Sequence, residues 1–101
     1  MRFPQWIPIV ALLTVAAHGQ TGASLYRGKC ATCHGAKGEG RAAIKNSSLL
    51  TEEAKKRTDA ELTAAIAKGG TKQSSAHAYE RKGVSAEQVQ RLVQYVRELQ
   101  R

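Results

Sequence analysis

The two cysteines of the chain, Cys30 and Cys33, stand three residues apart, and His34 follows the second at once. On a helix that spacing turns both thiols to one side. No further cysteine exists, so no framework of disulfides can staple the domain. A disulfide between these two would close a tiny, strained loop of little stabilising value. The pair is therefore read as an anchor or a ligand set.

The rest of the chain shows why an anchor matters. Its 101 residues allow one domain at most. Arg2 gives the start a positive charge, and an apolar run from Ile7 to Ala17 is broken only by Pro8 and Thr14. Ala17-His18-Gly19 then puts small residues at the two positions a signal peptidase reads. That order is the layout of a secretory signal peptide. Residues 1–19 are expected to be removed, leaving 20–101 as the mature domain, periplasmic or exported; a cut after Ala23 is the alternative. The apolar run is about half of the roughly 20 residues a spanning helix needs, so no stable membrane span is expected. An uncleaved anchor is the competing reading. There is no twin-Arg pair, and no cysteine near the cut to take a lipid.

Cleavage would remove Met1, Phe3, Trp6, His18 and both prolines. The mature chain would keep Tyr26, Tyr79 and Tyr95 as its aromatics and His34 and His77 as its histidines, with no methionine. Roughly 80 residues with so few large side chains make a thin core. A large buried cofactor supplies what that composition lacks.

Three helical stretches are legible, with no sustained period-2 alternation between turn signals. The first runs from about Gly22 to Ala31, with Thr21 as its cap, and leads into the cysteines. The second opens on the capping box Thr58-Asp59-Ala60-Glu61, shows Leu62, Ala65 and Ile66 on a narrow apolar face, and stops at Gly69-Gly70. The third opens on Ser85-Ala86-Glu87-Gln88 and carries Val89, Leu92, Val93, Val96 and Leu99 at helical spacing. Leu49 to Lys56 offers a short, weakly signalled helix. The fold class is all-α.

Cys30-Ala31-Thr32-Cys33-His34 is the pattern of covalent haem attachment. Each thiol can add to one haem vinyl group, and the tether sets the His34 imidazole against one face of the iron. Other chemistries compete for the same residues. A redox-active dithiol wants a βαβ setting, and none is present. A zinc site of Cys30, Cys33, His34 and His77 has the right ligand count, but zinc would not fill the core. Nucleic acid is disfavoured as a partner, because the basic residues are spread along the chain and stacking aromatics are nearly absent.

From Gly22 onward the chain resembles a small class I bacterial c-type cytochrome. The similar segments are Gly22 to Tyr26, Cys30 to Gly35, Leu62 to Gly70, and Ser85 to Arg97. The resemblance implies a small cytochrome c fold whose N- and C-terminal helices cross around one covalent haem c. It sets Gly22 and Tyr26 against Leu92 and Tyr95. It also implies one-electron transfer, the iron cycling between ferrous and ferric, in a carrier rather than an enzyme.

One departure stands out. The family places an axial methionine in Met-Pro-Ala-aromatic before the last helix, where this chain reads Ala76-His77-Ala78-Tyr79. His77 is then the expected sixth ligand, giving bis-histidine iron; Lys72 or an open, water-bound iron are the alternatives. An open iron would suit gas binding or peroxidase-like chemistry. Imidazole in place of a thioether lowers the expected potential. Tyr79 is expected to pack on the porphyrin edge, and Arg41, Lys45 and Ser48 are candidates for the propionates. Gly35, Gly38 and Gly40 give the chain freedom to turn below the haem. Formal charge is +8, and +7 once Arg2 is lost. Such a balance favours redox partners with acidic docking surfaces, the protein acting as a monomer or as a subunit of an electron-transfer chain.

Overall fold

The computed structural model describes residues 20–70 and 74–101. The expected signal segment, 1–19, lies outside the described residues. Five α-helices follow one another among the described residues: α1 (Gly22–Lys29), α2 (Ala31–His34), α3 (Glu52–Lys56), α4 (Asp59–Lys68) and α5 (Ala86–Gln100). A 3-10 helix, Tyr79–Lys82, lies between the last two. Among the described residues the only extended pairing is an isolated antiparallel bridge between Arg41 and Ile44. The domain is all-α, as its periodicity predicts, and none of its described helices is long and apolar enough to cross a membrane.

Local chemistry sets the helix ends. The Thr21 hydroxyl accepts from the Ser24 N–H at 3.0 Å and opens α1. Both capping boxes form: Thr58 with Glu61, and Ser85 with Gln88. Gly69 ends α4 at φ 86, a left-handed turn that costs glycine little. The weak signal at Leu49 to Lys56 resolves into α3, capped by Thr51. The first helix departs from expectation. It breaks at Cys30, where φ opens to −118°, and resumes as the four-residue α2. The helical hydrogen bonds continue across the offset, from Cys30 N–H to Tyr26 O at 2.8 Å and from His34 N–H to Cys30 O at 2.9 Å.

The core is built where α1 and α4 meet α5. Leu25, Tyr26 and Leu92 form one buried cluster; Leu62, Ala67, Val84, Val89, Val93 and Val96 form the other. The crossing of α1 and α5 rests on Gly22. A Cβ there would lie 2.6 Å from the Arg91 carbonyl oxygen and 3.1 Å from Tyr95 Cβ, so only glycine permits this approach. The Tyr26 and Tyr95 rings then meet at 5.3 Å, tilted by 49°. Arg97 ties the far end of α5 to the segment around α3: it pairs with Asp59 at 2.8 Å and donates to the backbone carbonyls of Lys55 and Arg57.

Candidate haem centre

The helices do not close on one another at the middle of the domain. They leave a hollow of about 850 Å³, within the size range of cofactor sites, roughly 300–1,000 Å³. Tyr26, Cys30 and His34 wall it from the first two helices, Leu62, Ala65 and Ile66 from α4, and Leu92 and Val96 from α5. This accounts for α4. Its Ala65 and Ile66 were expected to pack inward, yet both are only half-buried, because they face the hollow; Ala67 joins Leu62 in the core instead.

The thiols differ in setting. Cys30 is half-buried at the wall of the hollow, while Cys33 is exposed and does not line it. Burial pushes the Cys30 thiol up to about 11, with Lys29 opposing and Cys33 adding to the rise. A thiol held neutral is the reverse of the depressed thiolate that a redox-active dithiol needs. Both cysteines are free. Nor do three or more acidic, Cys or His side chains converge as a metal ion requires, among the described residues. That geometry disfavours a zinc centre.

His34 ends α2, and Gly35, at φ 86, turns the chain away beneath it. Its Nδ1 lies 2.7 Å from the Ser47 carbonyl oxygen. A carbonyl only accepts, so Nδ1 carries a proton; in the neutral ring that leaves the lone pair on Nε2. His77 lines the same hollow. Its ring is centred 6.0 Å from that of His34, with 28° between the planes. Two imidazoles bonded to opposite sides of one metal at about 2 Å each have centres roughly 6 Å apart. Burial above all, then the neighbouring His34 and Lys82, lowers the His77 pKa and keeps its imidazole neutral.

The loop around His77 is held from several directions. Tyr79 meets the His77 ring edge-on at 6.3 Å, lines the hollow, and donates its hydroxyl to the Lys29 carbonyl at 2.8 Å. Lys82 Nζ sits 4.7 Å above the Tyr79 ring. Ala78, between His77 and Tyr79, is buried in the left-handed region at φ 53. Lys72, the other candidate ligand, lies outside the described residues.

The three propionate candidates separate. Arg41 is turned to the backbone, donating to the carbonyls of Thr32 and Ala31 at 3.1 and 3.2 Å. Ser48 accepts from the Leu50 N–H at 3.1 Å, and Lys45 stands exposed at the wall of the hollow. Gly38 and Gly40 take φ 80 and 86, so the chain below the site turns at glycines as expected. Ser47, whose carbonyl holds His34, carries no sequence pattern that marks it.

A hollow of cofactor size with a partly apolar wall, a thiol in that wall and two neighbouring imidazoles together fit a haem. No curated protein and no solved structure matches the chain. Residues 17–96 match the family described as cytochrome c oxidase, cbb3-type, subunit III. That match spans most of the chain, which therefore belongs to this family of c-type cytochrome domains, whose covalently bound haem c serves electron transfer.

Proposed function

We propose that the protein carries one electron at a time on a single haem, joined to Cys30 and Cys33 and ligated by His34 and His77. The haem supplies a ferrous–ferric couple. His34 is held by the Ser47 carbonyl in the tautomer that offers Nε2. His77 offers a neutral imidazole and leaves no open position for substrate. Leu62, Ile66, Leu92 and Val96 exclude water and lower the local polarity. The observation that carries this reading is the near-parallel pairing of the two imidazoles at 6.0 Å. Two nitrogen ligands favour ferric iron over what a thioether would, so the potential is expected to lie below that of methionine-ligated relatives.

Residues 1–19 act in this reading as an export signal, and 20–101 as the working domain. Its basic balance, +7 before the propionates are counted, steers it to acidic faces of redox partners. A free carrier and a bound subunit of an oxidase, which the family's description suggests, use the same haem chemistry. Transfer to a soluble acidic partner that slows as salt rises supports the carrier; co-purification with membrane oxidase subunits overturns it.

The test of ligation is the absorption spectrum of the exported protein beside its His77→Ala variant. Low-spin bands indifferent to carbon monoxide are expected in the parent, and high-spin, carbon monoxide-sensitive bands in the variant. Unchanged low-spin bands in the variant would remove His77 from the iron. A parent that binds carbon monoxide would favour the open-iron reading. The mass of the same sample is expected to show one haem and a chain starting at Gln20.

A further inference from the structure

Apart from the Tyr26 phenol, Ser47 is the one buried side chain with a polar group among the described residues. Its hydroxyl accepts from the Arg41 N–H at 2.8 Å and donates to the Ile44 carbonyl at 2.6 Å. The Ile44 N–H in turn donates to the Arg41 carbonyl at 2.9 Å. The loop from Arg41 to Ser47 is thus closed by the Ser47 hydroxyl together with this one backbone bond. Asn46 makes the last turn in the left-handed region, φ 61, where asparagine is tolerated. At the entrance, a Cβ on Gly40 would stand 2.8 Å from the Ser48 nitrogen and 3.0 Å from Ser47 Oγ. The Arg41 side chain fastens the loop to the carbonyls of Ala31 and Thr32, just before Cys33 and His34.

We propose that Ser47 is a positioning residue for the His34 imidazole. Its hydroxyl keeps the loop closed, and closure holds its own carbonyl 2.7 Å from His34 Nδ1. An engaged Nδ1–H makes the imidazole more basic, which strengthens its donation to ferric iron and lowers the potential. Without the hydroxyl, the Arg41 N–H and the Ile44 carbonyl lose their shared partner, the loop relaxes, and the carbonyl withdraws from the ring. The inference rests on the reading of His34 as an iron ligand.

The experiment uses the full haem-loaded chain in its reduced state, with nitrogen-15 in its histidines and carbon-13 in its serine carbonyls. In Ser47→Ala, exchange of the His34 Nδ1 proton is expected to quicken about fivefold, the loss of one ordinary hydrogen bond. The reduction potential is expected to rise with it. Ser47→Thr keeps the hydroxyl and is expected to hold both values close to the parent's. Unchanged exchange and potential in Ser47→Ala would overturn the proposal. Should Ser47→Ala fail to fold, the parent decides: a slowly exchanging Ser47 hydroxyl proton and a scalar coupling from His34 Nδ1 to the Ser47 carbonyl carbon are both expected, and absence of either overturns it. His34→Ala is the separate control. If it keeps the parent's low-spin bands, the ligand reading itself has failed and the proposal falls with it.

Discussion

At the scale of single residues, Tyr26 shows how the first helix is tied to the site. It is fully buried, and its hydroxyl donates to the Gly35 carbonyl at 2.7 Å, one residue past His34. Burial first, then the nearby Cys30, Glu39 and Tyr95, pushes its phenol from the usual 10 up to about 12. A pKa raised by folding gives stability that is complete below pH 10 and is lost as pH climbs from 10 towards 12. Tyr26→Phe is expected to lower stability at neutral pH by about 1 kcal/mol, since the Gly35 carbonyl then keeps only the Gly38 N–H at 3.2 Å. It is also expected to flatten the loss between pH 10 and 12, as read by urea midpoints across that range. Residues differ sharply in how far their roles can be read from sequence. The proposed haem residues Cys30, Cys33 and His34 can be picked out in the sequence by their fixed short spacing, and His77 as their proposed partner because the chain after residue 19 offers no further histidine and no thioether. Ser47 is hidden, since its bond to His34 exists only once a thirteen-residue loop has closed. Ala78 is hidden too: nothing in an alanine announces φ 53, a region that alanine normally avoids.

Among the helices, the two glycines of α1 give opposite predictions. Gly22 lies in the crossing with α5, where an added Cβ would meet the Arg91 oxygen at 2.6 Å. Gly22→Ala is expected to cost about 1–3 kcal/mol by forcing the helices apart. Gly28 has nothing within 4 Å of the same position and no positive φ, so Gly28→Ala is expected to gain about 0.5–1 kcal/mol of helix propensity. Thermal unfolding of the two single variants reads both signs. Helix starts were legible because Thr21, Thr58 and Ser85 satisfy their helices' first N–H groups from within three residues. The break at Cys30 was not, because no glycine, proline or cap marks it. The inward face of α4 was legible only in part, since periodicity separates apolar from polar faces but not a side that meets protein from one that meets a cofactor.

For the molecule as a whole, the thin core counted in the sequence appears as two small buried clusters beside a hollow of about 850 Å³. Leu49, Ile66 and Tyr79 pack on those clusters while remaining half-exposed around it. A chain deprived of its haem therefore leaves apolar walls wet. The Cys30→Ala, Cys33→Ala double variant, made without haem, is expected to lose about 3–4 kcal/mol, the scale of a tightly bound group's contribution. Its urea transition is expected to shift to lower concentration and broaden. An unchanged transition would mean that the helices support themselves.

The crossing at Gly22 has a consequence for order in time. Helix α1 finds its main helical partner in α5, the last of the described elements and far from it along the chain. Contacts so distant along the chain form late, since loop closure must come first. If the chain is exported N-terminus first and its haem is joined at Cys30 and Cys33, as proposed above, both thiols pass as open peptide before α5 follows and closes the crossing.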